Sequence, residues 1–124
     1  MNRVASPAGA AEPLTVLIVD DHFVVRSGLV ASLELDDDIR VVAEAERGED
    51  AVAVYEKHRP MVVLMDLQLP GLGGVAATAA LRRFDPQARI LIFSSFVRED
   101  EVQAALDAGA LGYLQKSATR DELL

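Results

Sequence analysis

The sequence predicts an α/β fold with a parallel sheet covered by helices on both faces. Two observations carry this reading. From Leu14 onward, short and nearly continuous apolar runs alternate with longer segments whose apolar residues recur at helical spacing. Between them stand clusters of Asp, Gly and Pro that break both patterns. Strands buried on both faces read as unbroken apolar runs, and strand–helix alternation is the signature of βαβ crossovers. Right-handed crossovers with one reversal of strand order give a doubly wound sheet.

The elements follow in order. Leu14–Val19 is an apolar run rich in Val and Ile and predicts a buried strand. Phe23–Leu35 predicts a helix, with Phe23, Val25, Leu29 and Leu33 supplying apolar bulk at helical spacing. Asp36–Asp38 interrupt the pattern, and Ile39–Ala45 predicts the second strand. Glu49–His58 predicts the second helix, stopped by Pro60, and Met61–Met65 the third strand. Leu67–Gly74, with Pro70-Gly71 and Gly73-Gly74, is a long turn. Val75–Phe84, closed by Asp85-Pro86, is the third helix. Ile90–Phe93, Glu99–Ala108 and Gly112–Gln115 complete the series as strand, helix and strand. Thr119 or Asp121 caps the start of a fifth helix, which the sequence carries only to Leu124. Residues 1–13, with Ser6, Pro7, Gly9 and Pro13, read as a mobile tail ahead of a single domain over 14–124.

Composition narrows the function classes. The chain has 124 residues and is 51% hydrophobic, enough for a core without staples. It has no cysteine, which excludes disulfides, thiolate chemistry and Cys-type zinc sites and suits a reducing cytoplasm. Twelve basic against twenty acidic residues give a net charge of −8, which repels nucleic-acid phosphates and anionic membrane surfaces. No apolar run is long enough to span a bilayer, and the first residues lack the apolar stretch of a secretory signal.

Ligands of open parallel sheets bind beyond the carboxyl ends of the strands, so the polar residues ending each apolar run are the candidates. Strand one ends in Asp20-Asp21, strand three in Asp66 and strand four in Ser94-Ser95, while strand five reaches Lys116. Strand two, ending Ala43-Glu44-Ala45, offers less. Singly, each has a bland explanation: Asp-Asp as a helix cap, Ser94 as turn chemistry, Lys116 as a solvated charge, Tyr113 as a core aromatic with its hydroxyl near the surface. Together they put three carboxylates, a hydroxyl and an ammonium on one sheet edge. Two carboxylates about 4 Å apart repel by roughly 4 kcal/mol at an effective dielectric of 20, so three need a cation or a shared proton. An all-oxygen set with few protein ligands suits Mg²⁺, and Lys116 adds the positive charge that a phosphoryl group requires. His22 and His58 lack the spacing of a zinc site.

The stretches VLIVDDHFVVRSGL, VVLMDLQLPGLGG, ILIFSS and GALGYLQKS, in this order, resemble the receiver domain of bacterial two-component response regulators. The DDHxxVRxGL form resembles the NarL/FixJ (LuxR-type) subfamily in particular. The resemblance implies a flavodoxin-like, five-stranded sheet of order 2-1-3-4-5 whose last helix is truncated here. It implies that Asp66 is the phosphoacceptor and that Asp21, Asp66 and the backbone carbonyl of Gln68 bind Mg²⁺, with Asp20 holding the ion through water. Ser94 and Lys116 would bind the phosphoryl group, and Tyr113 would be the switch aromatic. Many receivers carry Pro after the lysine where this chain has Ser117; a cis bond without proline costs about 2.5–4 kcal/mol, so none is expected.

The implied function is phosphorelay signalling in the cytoplasm. The donor is a sensor histidine kinase, a homodimer forms on phosphorylation, and DNA is reached only through a C-terminal helix-turn-helix domain beyond this chain. Such a domain is no enzyme apart from its own autophosphorylation and autodephosphorylation. A single-domain receiver without DNA-binding output is the alternative. A haloacid-dehalogenase-type phosphatase needs a second Asp where Gln68 stands, and a dinucleotide-binding domain needs a Gly-rich loop in place of Asp20-Asp21-His22. A phosphate-independent pseudo-receiver normally loses one of the five polar residues, and all five are present.

Overall fold

In the computed structural model, residues 12–94 and 98–115 are described. Five parallel strands, β1 (Leu14–Val19), β2 (Ile39–Ala45), β3 (Val62–Met65), β4 (Ile90–Ser94) and β5 (Gly112–Gln115), form one sheet of order β2-β1-β3-β4-β5. Four helices connect them: α1 (Phe23–Leu33), α2 (Gly48–His58), α3 (Gly74–Phe84) and α4 (Glu99–Asp107). Lys116, Ser117 and the start of a fifth helix lie outside the described residues, as do Ser95 and most of the N-terminal segment. Among the described residues, no helix is long and apolar enough to cross a membrane.

The apolar runs become strands because both of their faces are covered. Leu17, Val19, Val63, Met65, Ile90 and Ile92 pack with Ala51 and Tyr55 of α2, Ala77 and Leu81 of α3 and Ala105 of α4. The alternate residues Val16, Ile18, Leu64 and Phe93 pack against Leu29 and Leu33 of α1. Each such fully buried side chain contributes about 1.5–3 kcal/mol, so the two layers fix which residues leave the sheet at its carboxyl edge. The register does the rest: Val19 pairs with Met65 and Ile92 with Tyr113.

Most boundaries fall within one residue of expectation, and three differences are informative. The first helix ends at Leu33, and Leu35 is exposed. Its inward face carries Arg26, Leu29 and Leu33, while Phe23 points to solvent; the i, i+3, i+7 stripe that meets the sheet includes an arginine in place of the phenylalanine. The third strand starts at Val62, because the Met61 amide is drawn out of line to the Thr15 carbonyl and hydroxyl, at 3.0 and 2.9 Å.

Candidate functional site

The sheet brings its carboxylates together by topology alone. Asp20 and Asp66 directly follow the paired residues Val19 and Met65, and the Asp66 amide donates to the Val19 carbonyl at 3.0 Å. Both aspartates are almost fully buried, with 1% and 2% of their surface exposed, whereas Asp21 faces solvent. Carboxylate oxygens of Asp20, Asp21 and Asp66 and a ring nitrogen of His22 all lie within 4.8 Å of one another. Carboxylates this close repel one another, and a cation among them offsets that repulsion. Hard oxygen donors in this number fit Mg²⁺, which completes its shell with water. The acidic set, with Gln68 on the loop beside it, therefore has the chemistry to hold that ion.

The surrounding groups hold the acids in place. The Asp66 Oδ1 accepts the Gln68 amide at 3.0 Å and the buried Ser94 hydroxyl at 3.2 Å. Asp20 Oδ1 accepts the His22 amide at 2.7 Å, and the His22 Nδ1 lies 3.2 Å from both Asp20 Oδ1 and Asp21 Oδ1. Of the predicted residues, Asp20, Asp21, Asp66, Gln68 and Ser94 thus share one edge. Tyr113 differs from its reading as a core aromatic: it is 46% exposed and borders an open hollow with Glu99, Asp100, Val102 and Gln103 of α4. β5 is an edge strand, so among the described residues no neighbouring strand covers its outer side.

The loop after Asp66 explains its glycines. Gly71 has φ of 73°, a left-handed conformation that favours glycine. The Glu49 carboxylate of α2 accepts the Leu72 amide at 3.3 Å and is held below the usual carboxylate range by its own amide and that of Leu72. Gly74 begins α3 so close to β3 that a Cβ there would press on the Asp66 carbonyl oxygen and lie 2.6 Å from Leu67 Cα.

Sequence reasoning missed Arg26. Its Nη1 donates to the Asp20 main-chain carbonyl at 2.6 Å, Nε to Glu44 Oε1 at 3.1 Å and Nη2 to Glu46 Oε1 at 3.2 Å. The signal available was an arginine on the helical stripe that also carries Leu29 and Leu33, together with acids ending the second strand.

The model of the response regulator receiver domain family matches residues 16–124. The chain belongs to this family. Transcriptional regulatory protein LiaR of Bacillus subtilis is 39% identical over 110 residues, covering 89% of this chain and 52% of LiaR. This chain therefore spans about half the length of the curated relatives it matches. The receiver-domain structure of the putative response regulator NarL from Mycobacterium tuberculosis is 36% identical with a TM-score of 0.86, covering 91% of both chains. The structure of a CheX–CheY–BeF3–Mg²⁺ complex from Borrelia burgdorferi is 26% identical with a TM-score of 0.85, covering 95% of this chain and 88% of the other. The receiver domain is of the NarL/LuxR type, with the strand order expected for the flavodoxin-like fold.

Proposed function

We propose that this chain receives a phosphoryl group on Asp66 from a phosphohistidine of a sensor kinase, and so serves as the switch of a two-component phosphorelay. The observation that carries the reading is the meeting of the Asp20, Asp21 and Asp66 carboxylates within 4.8 Å, with the Ser94 hydroxyl 3.2 Å from Asp66 Oδ1. A carboxylate oxygen of Asp66 attacks phosphorus in line. The new P–O bond forms as the P–N bond to the kinase imidazole breaks, and the imidazole leaves with that electron pair and takes up a proton. Transfer of this kind needs positioning and charge neutralisation more than covalent help.

Asp66 is positioned by the Gln68 amide and the Ser94 hydroxyl. Asp21, Asp66 and the Gln68 carbonyl would hold Mg²⁺ directly and Asp20 through water, and the bound ion would supply positive charge for the phosphoryl oxygens. The relative whose structure contains BeF3 and Mg²⁺ supports Mg²⁺ as the ion. Ser94 donates to the phosphoryl group once it is formed. Lys116, assigned to the same group by resemblance, lies outside the described residues. Tyr113 then turns inward from its exposed position. Acetyl phosphate and similar small donors would load Asp66 without a kinase.

The output is transcription control in the cytoplasm through a helix-turn-helix domain C-terminal to this segment, with dimerisation on phosphorylation. The name and length of relatives such as the transcriptional regulator LiaR support a further domain with a transcriptional output, and the parent reading frame checks that domain: a stop codon soon after Leu124 contradicts it. The test of the acceptor site is the amide NMR response to beryllofluoride and Mg²⁺. Shifts are expected around Asp66 and Ser94 in the wild type, weaker coupling to Tyr113 in Ser94→Ala, and no response in Asp66→Asn or with EDTA. A full wild-type response in Asp66→Asn contradicts the assignment.

A further inference from the structure

We propose that Arg26 is a positioning residue of the acidic site: it fixes the direction of the Asp20 carboxylate and thereby sets how tightly the site holds a divalent cation. The inference rests on the cation-dependent acceptor reading and extends it to a residue outside the acidic set.

Arg26 is one of the few buried charged residues in the fold, at 6% exposure. A buried charge is costly unless each of its donors is used. Here all three edges of the guanidinium have partners: the Asp20 carbonyl, Glu44 and Glu46. The two glutamate side chains are 45% and 67% exposed, so the 2.6 Å bond to the Asp20 carbonyl is the buried one. The Phe23 ring lies over the guanidinium at 5.8 Å and shields it further.

The consequence falls on Asp20. Its amide donates to the Ala45 carbonyl of β2 at 3.0 Å, and its own carbonyl is taken by Arg26. With both peptide groups tied, the chain leaves β1 in one direction, and the Asp20 carboxylate is delivered toward Asp66. Removing the Arg26 bond frees that carbonyl to rotate where the strand ends. Groups that orient metal ligands without touching the metal typically cost 10–100-fold in affinity when removed.

A purely electrostatic role predicts the opposite sign. Deleting a positive charge behind three carboxylates makes the site more negative, which tightens cation binding. Positioning predicts weaker binding, so the direction of the change separates the two.

The experiment is a Mg²⁺ titration followed by amide NMR shifts on the whole chain. It compares the wild type, Arg26→Gln, Arg26→Lys, Asp20→Asn and the Asp20→Asn/Arg26→Gln double variant. Arg26→Gln is expected to raise the Mg²⁺ Kd about tenfold or more. Arg26→Lys keeps the charge but gathers its donors on one nitrogen in place of the separate Nε, Nη1 and Nη2 that Arg26 uses, and is expected to raise it about threefold; it supplies the answer if the glutamine variant does not fold. In the Asp20→Asn background, Arg26→Gln is expected to add less than about twofold, because its effect passes through Asp20. Wild-type or tighter affinity in the Arg26 variants overturns the proposal, as does a loss that persists in full without the Asp20 carboxylate. A wild type that ignores Mg²⁺ overturns the acceptor reading itself, whereas a wild type that binds beside unaltered Arg26 variants removes only the role of Arg26.

Discussion

Asp66 occupies a position where little backbone movement is tolerated. Its amide is tied to β1, its carboxylate accepts the amide of Gln68, and the Gly74 amide closes the loop by donating to the Leu67 carbonyl at 3.1 Å. A methyl group at position 74 would meet main-chain atoms of Asp66 and Leu67, and no flexible side chain stands there to give way. Gly74→Ala is therefore expected to cost at least about 2 kcal/mol, in the range of other overpacking substitutions, and to displace the Asp66 and Gln68 amide resonances. Urea unfolding with NMR checks both. Wild-type stability in this variant would mean that α3 can retreat from the strand, contrary to the tight approach described. The same crowding accounts for Gly74, and a φ of 81° accounts for Gly73, in a pair that reads, in the sequence, only as a turn.

At the scale of elements, the far end of the α2–α3 pair is locked by a polar and aromatic cluster. The Tyr55 hydroxyl donates to Asp85 Oδ2 at 2.7 Å, the Tyr55 and Phe84 rings meet edge to face at 6.3 Å, and the Arg59 guanidinium lies over both rings. Burial and the Asp85 carboxylate push the Tyr55 hydroxyl from 10.0 up to about 12. The Tyr55 hydroxyl and the Gln87 amide hold Asp85 below its ordinary 3.8. A raised tyrosine pKa means stabilisation that is complete below pH 10 and lost as pH rises toward about 12. A lowered aspartate pKa means stabilisation present above pH 3.8 and lost as pH falls through the lower folded value. Tyr55→Phe keeps the ring and is expected to cost about 1 kcal/mol near neutral pH. The difference in stability between wild type and variant should shrink at both extremes. A difference constant from acid to alkaline pH would contradict the role given to this hydrogen bond.

The architecture of the whole molecule was legible because each strand is an apolar run bounded by residues that cannot continue it, as Val19 by Asp20 and Met65 by Asp66. The convergence of Asp20, Asp21, Asp66 and Ser94 followed from topology, since parallel strands deliver their exits to one edge. Arg26 was not legible: its partners Glu44 and Glu46 lie 18 and 20 residues away, and only the pairing of β1 with β2 brings them under α1. The exposure of Tyr113 was hidden for a similar reason, because an alternating edge strand looks like a buried one until its neighbours are counted.

The same convergence bounds the switch energetically. Moving an equilibrium from 1:99 to 99:1 takes about 5.5 kcal/mol, and two charge-assisted hydrogen bonds, those proposed for Ser94 and Lys116, contribute about 3–6 kcal/mol. The proposed contacts would thus drive such a shift with little energy to spare. The central claim, that Asp66 is the acceptor and needs a divalent cation, is tested most directly by intact-mass measurement after incubation with acetyl phosphate. The wild type is expected to gain a single phosphoryl group with Mg²⁺ and none with EDTA, and Asp66→Asn to gain none in either case. Equal labelling of Asp66→Asn, or labelling indifferent to chelation, would contradict the account.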